Sequence, residues 1–238
     1  MAYMTYKIAV IGDGGVIRTL YGHPDLEFTE SEPILPPEAN SPLSEDEEEE
    51  EDSWSLSLGL YDACQGGNRE LADYMIEKGA NNWDWGLKSA ANNWNGGLRG
   101  ACHGGKRELV DYMIEKGAKN WNSGLESACQ GGHRELADYM IEKGANNWDF
   151  ALRSACCGGN RELVDLMIEK GANDWNWGLE GACRGGNREL VDYMIEKGAW
   201  NWDLGLEGTC RGGNRELANL MIEKGATNAH LIDEYFTR

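Results

Sequence analysis

From Leu98 onward the chain repeats itself every 27 residues: Leu98, Leu125, Leu152, Leu179 and Leu206 each open a near-identical unit. A fixed short period dictates the architecture, because a unit of this size cannot close a core alone and must bury its apolar face on its neighbours. A further full unit begins at Leu60, making six. The step from Leu60 to Leu98 is 38 residues, one period plus 11. The extra stretch at 87–97, LKSAANNWNGG, joins the start of one unit to the end of another, as if 16 residues of a seventh unit were deleted.

Each unit parses into two helices. In the unit at Leu125, the apolar residues Leu125, Ala128 and Cys129 recur at i, i+3 and i+4, which predicts a first helix of about two turns, stopped by Gly131-Gly132. The segment RELADYMIEKG follows, with a broad apolar stripe of Leu136, Ala137, Tyr139, Met140 and Ile141. Lys143 stands in the last turn and Gly144 at the place of a left-handed cap, so the second helix should run about three turns. The expected fold is all-α: helix pairs stacked into a solenoid over residues 53–238.

The pattern GLxxACxGGxRELVDYMIEKGA resembles the helix pair of the ankyrin repeat, with Leu-x-x-Ala-Cys where that family has Leu-His-x-Ala-Ala. The resemblance covers residues 60 to about 230. It implies helical-pair stacking with the first helices lining the concave side, and it implies protein partners. The family repeat has about 33 residues. The deficit falls between Ala145 and Leu152, where the family's β-hairpin finger would lie and this chain places a Trp. Short Trp-bearing units of the GAxNW type look most like ankyrin-like repeats encoded by giant DNA viruses of amoebae. On that resemblance the protein would act on host proteins.

Residues 1–52 are different in kind. They hold all five prolines and carry 14 acids against two bases, and they end in eight consecutive acids, Glu45–Asp52. Such a block repels itself and buries nothing, so the arm is expected to be largely disordered. Near its start, Tyr6–Thr19 (YKIAVIGDGGVIRT) resembles the first strand and phosphate loop of a Ras-like small GTPase. Ile17, however, replaces the last glycine of that loop and Arg18 its lysine, so a vestigial fragment or a chance apolar strand is the favoured reading. A nucleotide-binding remnant at 12–19 is the alternative.

The net charge of −19 opposes nucleic-acid binding, which begins with phosphate neutralisation. No apolar run is long enough to span a bilayer, and no signal peptide is evident, so an intracellular, soluble protein is expected, in host cytoplasm or nucleus if viral. Six cysteines (Cys64, Cys102, Cys129, Cys156, Cys183 and Cys210) share one position in the first helix. One repeat of separation is too far for disulfides, so they are expected to be reduced core residues. Neither a metal-ligand spacing nor a nucleophile paired with a base is present, so no cofactor, no metal and no enzymatic activity are expected.

Binding residues would lie among the positions that vary. Trp94, Trp121, Trp148, Trp175 and Trp202 keep the period and are expected to pack between repeats; Trp85, Trp177 and Trp200 sit off that ladder and are candidate partner anchors. The column after the leading Leu reads Tyr61, Arg99, Glu126, Arg153, Glu180, Glu207, and its alternating signs suggest a solvated ladder of weak ion pairs. The column after the shared Cys reads Gln65, His103, Gln130, Cys157, Arg184, Arg211. From it His103, Gln130, Arg184 and Arg211 join the candidates, the two arginines as a place for an acidic partner. The function expected is a protein-interaction module acting as a monomer. The competing readings are a non-binding degenerate paralogue, and an acidic arm that mimics a polyanion toward basic proteins such as histones.

Overall fold

The computed structural model describes residues 6–11, 17–22, 58–78 and 94–236. The chain divides into two compact units, Met1–Asp52 and Ser53–Arg238. In the first, β1 (Tyr6–Ile11) pairs antiparallel with β2 (Ile17–Gly22), from Tyr6 opposite Gly22 to Ile11 opposite Ile17. The stretch that resembles a phosphate loop therefore contributes a hairpin. Arg18 and Thr19 lie on its second strand, where a nucleotide-binding motif would have begun a helix. Residues 12–16 and the acidic block 45–52, with the disorder expected of it, fall outside the described residues.

The second unit alternates first and second helices: α1 (58–66) and α2 (Arg69–Glu77), α3 (Asn95–His103) and α4 (Arg107–Lys116), α5 (Trp121–Gly131) and α6 (Arg134–Glu142), α7 (Trp148–Gly158) and α8 (Arg161–Lys170), α9 (Trp175–Gly185) and α10 (Arg188–Lys197), α11 (Trp202–Gly212) and α12 (Arg215–Lys224). A closing helix, α13 (His230–Phe236), packs on α11 and α12. The first helices stack directly on one another, α3 on α5, α5 on α7, α7 on α9 and α9 on α11, and each also packs on the second helix of its own pair. The leading Leu, the Ala and the Cys of each first helix, with Thr209 buried in place of the Ala in α11, and the Ala or Val and the Met of each second helix form one continuous core. Burying each Leu or Met of that core contributes about 1.5–3 kcal/mol.

The first helix differs from its expected extent. In α5, α7, α9 and α11 it begins at the ladder Trp, four residues before the leading Leu, and runs 11 residues, three turns and not two. The Trp is thus the opening residue of a helix, not a substitute for a hairpin finger. Trp94 is buried while Trp121, Trp148, Trp175 and Trp202 are half-buried against the core. The indole Cδ1 of Trp94 and of Trp202 lies 3.6 Å from where a Cβ would stand on Gly117 and Gly225, the glycines that cap the second helix of the same pair. Those caps are left-handed, φ 109–116° at Gly117, Gly171, Gly198 and Gly225. The following Ala N–H returns to the Met carbonyl, closing a Schellman turn.

The missing finger is replaced by a side-chain latch. The Asn or Asp after each ladder Trp accepts two backbone N–H bonds from the loop of the next repeat: Asn95 from Lys119 and Asn120, Asn122 from Asn146 and Asn147, Asp149 from Asn173 and Asp174, Asn176 from Trp200 and Asn201, Asp203 from Thr227 and Asn228, at 2.6–3.1 Å. Asn120, Asp174 and Asn201, immediately before the Trp, cap the next first helix. Two short polar side chains thus satisfy the connection within a 27-residue period.

The double glycine has two separate roles. Gly132, Gly159, Gly186 and Gly213 end the first helix in the left-handed region. The glycine before each lets neighbouring helices touch: a Cβ on Gly104, Gly131, Gly158, Gly185 or Gly212 would lie 2.0–2.2 Å from a carbonyl oxygen of the preceding repeat. The same relation joins α1 to α3, where a Cβ on Gly100 would lie 2.2 Å from the Tyr61 oxygen and one on Gly104 2.0 Å from that of Gln65. The repeat at Leu60 therefore docks in the common register despite the insertion. Trp94–Gly97 belong to the repeat at Leu98, and the remainder of the truncated unit, 87–93, lies outside the described residues.

Candidate protein-binding surface

The exposed side of the first helices is built from three positions: two, five and nine residues after the ladder Trp. Their spacing is i, i+3, i+7, one helical face. The middle and last are the two variable columns already identified from sequence. The first column reads Gly96, Ser123, Phe150, Trp177 and Leu204, and it turns large and apolar in three consecutive repeats. Phe150 is 42% exposed; Trp177 and Leu204 are half-buried. Phe150 stacks on Trp177 across the repeat boundary, ring centroids 5.7 Å apart and planes 28° apart, and the Arg153 guanidinium lies 5.1 Å from the Trp177 ring centroid. Sequence reasoning singled out Trp177 but missed Phe150 and Leu204. Counting from the ladder Trp, rather than from Leu, would have aligned all three.

The middle column is not the solvated ladder that its alternating signs suggest. Glu180 is fully buried. Arg153 of the preceding repeat donates to both its oxygens, through Nε to Oε2 and through Nη2 to Oε1 at 2.9 Å. Arg211 of the following repeat donates through Nη1 at 3.2 Å. The correction has a packing cause: the glycine-mediated approach of the helices encloses a carboxylate that would be solvated on an isolated helix. Arg211 also pairs with Glu207 at 3.2 Å. Burial raises the pKa of Glu126 above the carboxylate norm, opposed by Arg99 and Arg153.

The sequence-predicted candidates fall into distinct settings. Gln130 and Arg184 are exposed on the last column, and Arg184 forms no ion pair among the described residues. Arg211 is exposed but engaged by Glu180 and Glu207. His103 is half-buried, with Nδ1 enclosed and unpartnered, while its carbonyl accepts from His133 Nε2 at 3.0 Å. Burial and the His133 charge lower the His103 pKa. Trp200 is 69% exposed in the loop before α11, its N–H latched to Asn176, so its backbone adjoins the residue next to Trp177. Trp85 lies outside the described residues. Trp177, Arg184 and Arg211 share the face with Phe150 and Leu204; His103 and Gln130 belong to the same face two and one repeats nearer the N-terminus.

Away from this face the surface is framework. On the second helices from α2 to α10 each Arg pairs with the Asp four residues on, and where the next repeat has Tyr its hydroxyl donates to that Asp while the guanidinium covers its ring, as in Arg107–Asp111–Tyr139 at 3.7 Å and Arg161–Asp165–Tyr193 at 3.6 Å. Leu166 and Leu220 interrupt this ladder. The cysteines are free, and burial pushes the thiols of Cys64, Cys102, Cys129 and Cys183 up to about 12, so each is a protonated packing group at neutral pH. Cys157, half-buried, is also raised by burial.

No protein-family model and no curated protein sequence matches the chain. Among solved structures it is similar to the ankyrin repeat domain of human ASB11, at 23% identity and TM-score 0.41, over 71% of this chain and 84% of that one. The array itself is an all-α solenoid of repeated helix pairs. No helix among the described residues is long and apolar enough to cross a membrane.

Proposed function

We propose that the array is a protein-binding module whose contact face is the exposed side of its first helices, with the binding residues concentrated in the last three repeats. The observation that carries this reading is the separation of roles. The leading Leu, Cys and Met positions recur nearly unchanged and are buried, and the double glycine recurs where neighbouring helices touch, whereas the i, i+3, i+7 face varies and carries Phe150, Trp177 and Leu204 in adjacent repeats. Exposed aromatics in a rigid setting are what interfaces use as anchors. Free buried thiols suit a reducing compartment. The likeness to repeats encoded by giant DNA viruses of amoebae supports partners drawn from an infected host. The test is selection of peptides from a random library on the full chain, repeated on the Phe150→Ser/Trp177→Ser variant. Binding that vanishes in a variant of unchanged helicity supports the module; peptides retained equally by both place the contact elsewhere.

A further inference from the structure

The contact face is graded along each helix, and the gradient specifies a partner. Its apolar column stands near the start of α7, α9 and α11, while Arg184 and Arg211 stand seven residues later, about 10 Å farther along the helix axis. Successive arginines are one repeat apart, about 8–10 Å between packed helices. The buried Glu180 carboxylate fixes Arg153 and Arg211 from opposite sides, and Arg153 in turn lies over Trp177, so the cationic and aromatic parts are held in one arrangement. Arg184, between them, is exposed and without an ion pair among the described residues. Across α7, α9 and α11 the face carries Arg153, Arg184 and Arg211 against the buried Glu180 and the Arg211-paired Glu207, so its balance is positive, by the charge of Arg184, in a chain of net charge −19.

Resting on the proposed function, we infer that the face takes an acidic segment of a partner protein that carries one large apolar side chain. That side chain packs at Phe150, Trp177 and Leu204, and two carboxylates meet Arg184 and Arg211. In an extended peptide, which advances about 3.3 Å per residue, these three groups fit within about six residues. Charge complementarity selects this occupant over a basic or neutral one, since a basic segment would place its cations against Arg184 and Arg211. The chain's distant negative charge does not cancel the effect, because at physiological salt it is screened beyond about 8 Å.

The experiment pans random peptides of about 12 residues on the full chain and measures the affinity of the enriched sequence, synthesised with a fluorophore, for native protein and for Arg184→Glu. The exposed Arg184 side chain makes no ion pair or hydrogen bond among the described residues, so this variant is expected to retain its melting temperature. The expected result is a consensus of Phe, Trp, Leu or Met with two nearby Asp or Glu, affinity lowered about tenfold or more by Arg184→Glu, and weakening as salt rises to about 0.5 M. Enriched peptides without acids, still dependent on Trp177, overturn the acidic partner and leave the binding module standing. No enrichment overturns both. A dimer seen by sedimentation that dissociates on Trp177→Ser assigns the face to a second copy of the chain and also overturns the inference.

Discussion

Substituting Gly185 with Ala is expected to destabilise the array by about 2–3 kcal/mol, although alanine is the better helix former. The new Cβ would lie 2.2 Å from the Cys157 carbonyl oxygen, 2.9 Å from its carbon and 3.1 Å from its Cα. All three are backbone atoms, so no rotamer relieves the clash, and α9 must retreat from α7 by about 0.8 Å merely to reach 3.0 Å. Overpacking of this kind costs about 1–3 kcal/mol, and retreat also loosens contacts along two 11-residue helices, against about 1 kcal/mol gained in helix propensity. Gly178→Ala in the same helix supplies the control. Its Cβ would lie 2.4 Å from Met194 Sδ, the far end of a flexible side chain, and Ala151 already occupies the equivalent place in α7. That change should be neutral to stabilising by up to about 1 kcal/mol. Urea unfolding of both variants, followed by far-ultraviolet circular dichroism, reads the difference. Equal effects, or a Gly185→Ala cost below about 0.5 kcal/mol, would refute the claim that this glycine sets the helix spacing.

Asp149→Ala should cost about 1–3 kcal/mol in the same assay, since the N–H groups of Asn173 and Asp174 lose their acceptor, whereas Asp149→Asn should be nearly silent because Asn95, Asn122 and Asn176 make the same latch. Lys106→Asn should raise stability by about 0.5–1 kcal/mol by giving α4 the side-chain cap that Asn68, Asn160, Asn187 and Asn214 give their helices, read as a higher melting temperature. The lowered pKa of His103 means that the folded state binds its proton less readily than the unfolded chain. Its contribution is therefore complete above the ordinary value near 6.5 and declines as pH falls from there toward the folded pKa; His103→Gln should flatten melting temperature over that range, and an unchanged pH profile would contradict this.

The sequence makes the period, the two-helix unit and the buried positions readable, because apolar spacing and glycine caps are local signals. Leu125, Ala128 and Cys129 face the core as their i, i+3, i+4 pattern requires. The start of the first helix was not readable from that pattern. The turn between Trp121 and Leu125 carries Asn, Ser and Gly, so its helical state depends on the Asn120 cap and on the latch from the preceding repeat. The burial of Glu180 was hidden for a related reason: charge alternation along one column reports sign, while solvation depends on how closely glycines let the helices approach. The apolar column at Phe150, Trp177 and Leu204 was partly legible, and was obscured by treating Trp177 as an irregular tryptophan and not as a member of a register.

The separation of framework from contact face is tested most directly by scanning single substitutions across 94–236 in the full chain, scoring each both for folded abundance and for binding of the enriched peptide. The account predicts that Phe150, Arg184 and Leu204 tolerate change in abundance but lose binding, while Gly131, Gly158, Gly185 and the core Leu, Cys and Met positions fail in both. Binding-specific losses clustered instead on the second helices, along the Arg107–Asp111–Tyr139 surface, would contradict it.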